Sequence, residues 1–146
     1  MSDAFAATVR RTFSSEVELR AFAGALGCRL RPGDVVALSG PLGSGKTTFV
    51  RAIVEAIHGV DETTSPTFTF RHRYAGSPPI DHLDLYRVDD PSELTELGLE
   101  QAFDGSSIVL VEWWTNAPGL LPARRYEVEI AGAGDEPRRV TVREPA

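Results

Sequence analysis

Cysteine occurs once in this chain of 146 residues, at Cys28, so no intrachain disulfide can form and a reducing compartment fits best. Its expected place is that of a small buried side chain on a helix. A basic excess is also missing. Fifteen Lys and Arg face 21 Asp and Glu, giving a net charge of −6, which argues against a general polyanion-binding surface. Local basic points remain at Arg71-His72-Arg73, Arg87 and Arg124-Arg125, and one such cluster can face a partner while the others are solvated. The three histidines, His58, His72 and His82, have no metal-ligand spacing with one another or with Cys28, so a zinc site is not expected. No apolar run approaches transmembrane length, and the opening "MSDAFAATVRRTF" has no signal-peptide core. A cytoplasmic protein without membrane association is expected. Repeats and long low-complexity linkers are absent too, which leaves residues 1–146 to be read as one domain.

What is present alternates between helical and strand patterns. "ATVRRTF" reads as an edge strand, and "SSEVELRAFAGALGCRL" as a helix started by a Ser15–Glu18 capping box. Behind that cap, Leu19, Phe22, Ala23, Leu26 and Leu30 recur at helical spacing. The buried-strand run "VVALS" precedes a glycine-rich segment and a second helix with Phe49, Val50, Ile53, Val54 and Ile57 on one face, ended by His58-Gly59. "TFTFRHRY" and "IDHLDLYR" are strand candidates, and "DPSELTELGLEQAF" reads as one short helix, or two divided at Gly98. "SIVLVE" is the most apolar strand of the second half, and "RRYEVEI" with "RRVTVRE" makes a C-terminal β-hairpin. The class that follows is α/β with a mixed sheet.

Gly40-Pro41-Leu42-Gly43-Ser44-Gly45-Lys46-Thr47 matches the phosphate-loop pattern G-x-x-x-x-G-K-[ST]. Its glycines allow a tight backbone that turns N–H groups, including those around Gly40, Gly43, Ser44, Gly45 and Thr48, toward phosphate at a helix N-terminus. Lys46 supplies a point charge for the β/γ oxygens, and the Thr47 hydroxyl is a Mg²⁺ ligand. The buried strand before and the amphipathic helix after are the context this loop requires. A second, acidic contact to the metal belongs at the end of a neighbouring strand, and two carboxylates compete for it. Glu112 ends the apolar run Ile108–Val111, and Asp84 sits between Leu83 and Leu85, which point to the face opposite its own. Each alone also reads as a solvated strand-end charge. Ser65-Pro66-Thr67 precedes a strand, where its hydroxyls can meet the γ-phosphate or attacking water, or simply form a proline turn.

The ordered set "GPLGSGKTTF", "SPTFTF", "HLDLYR", "ELGLEQAF" and "VEW" resembles the TsaE family, from about Phe13 to Arg143. The resemblance implies a three-layer P-loop NTPase-like fold on a mixed central sheet with a C-terminal β-hairpin. It also implies Mg²⁺-dependent ATP hydrolysis, weak in isolation, in the bacterial machinery that makes tRNA threonylcarbamoyladenosine. TsaD and TsaB would be the protein partners, with tRNA reached indirectly through the complex. Carried over by position, Lys46 and Thr47 hold phosphate and Mg²⁺, Thr67 belongs to a switch-like loop beside Ser65, Asp84 and Glu112 are the functional acids, and Trp113 is a functional aromatic beside them. The start of the first helix (Ser14 to Glu18) and Arg139 would reach the nucleotide's outer parts. This chain departs from the family pattern at Pro41, Ser44, Glu18 and Trp114; none is a fixed phosphate-loop position, and Trp114 gains no role. A small-molecule or nucleoside kinase built on the same loop is the main rival, and a module that binds ATP only to hold its shape is another. Guanine readout has no Asn-Lys-x-Asp segment to support it, since Ala117 and Pro118 follow Asn116.

Overall fold

The computed structural model describes residues 5–59 and 70–146. Strands β1 (Phe5–Phe13), β2 (Val35–Ser39), β3 (Arg71–Tyr74), β4 (Ile80–Asp84), β5 (Ile108–Glu112), β6 (Tyr126–Ala131) and β7 (Arg138–Pro145) form one sheet in the order β1-β7-β6-β2-β5-β4-β3. β2 lies parallel to β5 and β6, and β4 parallel to β5, whereas β1–β7, β6–β7 and β3–β4 are antiparallel. The mixed sheet, the edge position of β1 and the C-terminal hairpin are therefore as expected.

Side-chain alternation divides the core in two. Val36, Leu38, Ile108 and Leu110 face helices α1 (Glu16–Gly27) and α2 (Lys46–His58), joined there by Leu19, Ala23, Phe49 and Ile53. Val35, Ala37, Val109 and Val111 face the other way, onto Leu94 of α3 (Ser92–Glu96) and Leu99 of a 3₁₀ turn, Leu99–Phe103. The central strands are thus buried on both faces, which explains why they read as continuous apolar runs rather than alternating ones. Gly98, at φ 70°, sits in the left-handed region and separates α3 from the 3₁₀ turn, so the segment is two short helical pieces.

Helix α1 begins as its sequence dictates. Ser15 Oγ accepts the Glu18 N–H at 3.2 Å and donates its hydroxyl to Glu18 Oε1 at 3.1 Å. Cys28 departs from expectation: it is exposed at the helix end. At about 100° per residue it lies roughly half a turn around from Leu19, off the stripe that Leu19, Ala23 and Leu26 bury. No helix among the described residues is long and apolar enough to cross a membrane.

Candidate nucleotide site

Because β2, β5 and β4 run parallel, Ser39, Glu112 and Asp84 all arrive at the same carboxyl edge of the sheet. The phosphate loop leaves β2 there and enters α2, whose N-cap Gly45 takes φ 110°, a conformation that only glycine adopts cheaply. The first glycine is constrained from another side. A Cβ at Gly40 would collide with the Ile130 carbonyl oxygen on β6, so the loop lies directly against its neighbouring strand. Leu42, Gly43, Gly45, Lys46, Thr47, Thr48, Asp84, Tyr86, Glu112 and Trp113 line a cleft of about 320 Å³.

Asp84 and Glu112 are register partners across β4 and β5. The fold therefore sets side by side the two acids that the sequence left competing. Thr47 Oγ1 lies 3.4 Å from Glu112 Oε1, and Lys46 Nζ donates to the Gly40 and Pro41 carbonyls at 2.5 and 2.9 Å. Burial lowers the Lys46 pKa, opposed by the charges of Glu112 and Asp84. Asp84 moves up, first because burial penalises its charged form; the Tyr86 N–H it accepts at 3.1 Å works against that, and the Glu112 charge adds to it. Two carboxylates against one ammonium leave the cleft an excess of negative charge, which favours a cation beside any phosphate bound there. Among the described residues no three His, Cys, Asp or Glu side chains converge as a self-sufficient metal cage. An oxygen set of Thr47, Glu112 and Asp84 instead matches an ion such as Mg²⁺, whose remaining ligands come from water and phosphate.

Trp113 caps the cleft. Its ring lies 4.4 Å from Lys46 Nζ and 4.9 Å from the Tyr86 ring. Among the described residues it is the sole non-glycine with positive φ, at 57°. A left-handed L-residue costs about 1–2 kcal/mol, and such strain concentrates at functional positions. Trp113→Gly is accordingly expected to be more stable than Trp113→Ala by about 1 kcal/mol in urea denaturation, since both remove the ring and only glycine relieves the backbone. Equal stabilities would mean that the backbone at this position carries no strain. Trp113 and Trp114 both pack against the α3 side of the core, but Trp114 meets a different cation, with the Arg125 guanidinium 4.7 Å from its ring.

A second cavity of about 430 Å³ adjoins the loop on its other side, sharing Gly43, Gly45 and Thr48. Ser14, Ser15 and Glu16 from the start of α1 line it, as do Asp135, Glu136 and Arg138 from the hairpin. The helix start therefore borders the phosphate loop, whereas Arg139 does not. It lines a different surface groove with Arg10, Arg11 and Thr141. Arg138 takes the position at the loop: its Nε donates to Ser44 O at 2.9 Å, and Nη2 to Gly43 O at 3.3 Å and Gly134 O at 3.1 Å. Strand parity explains the difference in placement, and could have found Arg138 beside the loop. It shares a face with the buried Val140 and Val142, while Arg139 shares the opposite face with Thr141. Ser44 is fully buried, its Oγ has no hydrogen-bond partner among the described residues, and it does not line the cleft; its carbonyl oxygen accepts from Arg138 instead. Ser65 and Thr67 lie outside the described residues. Of the basic points, Arg71 and Arg73 are committed to Asp81, with Nε–Oδ1 distances of 2.9 and 3.2 Å.

Sequence reasoning also passed over His82. Its signal was parity again, because Ile80, His82 and Asp84 alternate onto one face of β4.

Residues 13–140 match the sequence model of the family described as threonylcarbamoyl adenosine biosynthesis protein TsaE. The chain belongs to the TsaE family. Relatives of that family name include the tRNA threonylcarbamoyladenosine biosynthesis protein TsaE of Bacillus subtilis, 40% identical over 132 residues covering 90% of this chain and 82% of that one. The protein of the same description from Rickettsia bellii is 39% identical over 127 residues, covering 86% and 88%. A crystal structure of Bacillus subtilis YdiB superposes with a TM-score of 0.80 at 32% identity, covering 99% of this chain and 90% of that chain. The P-loop-type α/β architecture of this TsaE-family chain and its kinship with tRNA threonylcarbamoyladenosine biosynthesis proteins rest on these matches together with the fold above.

Proposed function

We propose that this TsaE-family chain is a Mg²⁺-dependent ATPase of the tRNA threonylcarbamoyladenosine machinery, acting in the cytoplasm with TsaD and TsaB and reaching tRNA through them. One observation carries the catalytic reading: Lys46, Thr47, Asp84 and Glu112 converge on one cleft at the carboxyl edge of parallel strands. Lys46 would exchange its bonds to the Gly40 and Pro41 carbonyls for phosphate oxygens, steered by the cleft's shape. The loop N–H groups and the α2 N-terminus would hold the β-phosphate. Thr47, Glu112 and Asp84 would hold Mg²⁺, which when bound neutralises charge on the β- and γ-phosphoryl oxygens. Glu112, with one oxygen turned toward Thr47, would lie nearest the reacting phosphoryl group, and Asp84 would support the metal or orient water. Ser65 and Thr67 would act as the switch-like contacts to the γ-phosphate. Ser14 to Glu16 and Arg138 would border the nucleoside.

Partner dependence is supported by the mouth of the cleft. Leu42 and Tyr86 are 63% and 49% exposed there, apolar surface suited to cover by another protein. The test is a phosphate-release assay on the purified chain with and without TsaD and TsaB, paired with ATP-dependent co-purification. Mg²⁺-dependent release that rises on assembly is expected. Transfer of the phosphoryl group to a small hydroxyl compound would support the kinase reading instead, and assembly that proceeds on bound ATP with no release would support a purely structural nucleotide.

A further inference from the structure

His82 is 1% exposed, in a strand whose same-face neighbours are the apolar Ile80 and the site acid Asp84. An imidazole buried there costs free energy unless a specific bond repays it. His82 Nε2 lies 2.6 Å from Glu112 Oε2, and Nδ1 has no partner among the described residues. A carboxylate oxygen can only accept, so the ring proton belongs on Nε2, and the bare Nδ1 is an unmet acceptor rather than a costlier unmet donor. The second Glu112 oxygen, Oε1, is the one 3.4 Å from Thr47 Oγ1. One oxygen is therefore anchored in the core while the other is presented to the phosphate loop.

We infer that His82 is a positioning residue: its Nε2–H fixes the Glu112 carboxylate so that a single oxygen serves the cleft. The inference rests on the catalytic reading of Glu112 above. Without the bond, a glutamate at a strand end samples several rotamers, and misplacing a reacting group by about 1 Å can cost on the order of 100-fold in rate. The same logic governs groups that orient metal-binding side chains, whose removal costs about 10- to 100-fold.

Three variants separate positioning from packing. Glutamine carries its amide nitrogen out to the level of Nε2, asparagine reaches only the level of Nδ1, and leucine has no donor. In the assembled complex, His82→Gln is expected to keep phosphate release within about 3-fold of the parent, while His82→Asn and His82→Leu lose about 10- to 100-fold. ATP affinity of the isolated chain should stay within about 3-fold in all three. Imidazole nitrogen NMR gives a readout independent of turnover. His82 should show a slowly exchanging Nε2–H proton, and Glu112→Ala should release it to fast exchange. Parent-like turnover in His82→Leu, equal loss in the glutamine and asparagine variants, or a proton found on Nδ1 would each overturn the inference. Parent-like turnover in Glu112→Ala would overturn the catalytic reading of Glu112 and this inference with it. That failure is distinguishable, because the Nε2–H signal would still report the bond.

Discussion

Glu112→Ala is expected to bind ATP within a few-fold of the parent and to lose about 100- to 1,000-fold of its phosphate release in the assembled complex. Binding should survive because it rests elsewhere, on Lys46, the loop backbone and the N-terminus of α2. Turnover should not survive if Glu112 has the proposed role, for which it is the best placed of the described residues. It is 4% exposed, it is turned toward Thr47, and its far oxygen is held by His82. Removing it also takes away one of the two negative charges that balance Lys46 and any bound cation. Stopped-time phosphate assays alongside calorimetric ATP titrations check both halves. An unchanged rate in the complex would remove Glu112 from catalysis, and lost binding would make it a binding residue instead.

Asp81→Asn is expected to cost about 2–3 kcal/mol of folding stability without touching the cleft, as measured by urea denaturation at neutral pH. The Asp81 carboxylate has no exposed surface, yet it accepts from Ser107 Oγ at 2.6 Å, Arg71 Nε at 2.9 Å, and Arg73 Nε and Nη2 at 3.2 Å each. These bonds tie β3 to β4 at the sheet edge and hold the loop before β5. An asparagine would offer one acceptor oxygen where the carboxylate offers two, and its amide would point N–H groups at a guanidinium. Burial by itself would push the Asp81 carboxyl upward. The hydrogen bonds from Ser107, Arg71 and Arg73 outweigh it, so the group lies below its ordinary value of 3.8. A depressed folded-state pKa means that the unfolded chain binds the proton first on acidification. The stabilisation is thus complete above the ordinary carboxylate range and is lost as pH falls through the lower, folded value. The gap between parent and Asp81→Asn should accordingly narrow below about pH 4. A gap that stayed constant there would show that the ionised carboxylate is not what stabilises this edge.

The parts of the molecule legible in the chain are those governed by neighbours in sequence. Ser15 and Glu18 cap α1 because the bond spans one helical turn, and the phosphate loop is recognisable because its glycines, Lys46 and Thr47 act within eight consecutive positions. The strand "IVLVE" delivered Glu112 to the sheet edge for a similar reason, since an apolar run that stops at a charge marks its own end. Two further residues were within reach of strand parity, which aims Arg138 rather than Arg139 toward the loop and puts His82 on the same face as Asp84.

Sequence alone therefore determined the α/β class, the phosphate loop and the two candidate acids, because helical turns, tight loops and alternation are short-range consequences of backbone geometry. Tertiary structure decided the rest. That Asp84 and Glu112 stand paired follows from the β4–β5 register, and that His82 holds one oxygen of Glu112 follows from the same pairing. Asp81 became a buried ionic knot because β3 folds back on β4 and brings two arginines to it. Such contacts join residues whose separation along the chain carries no record of strand order. The packing of two apolar layers on opposite faces of one sheet sets that order, and local preference does not.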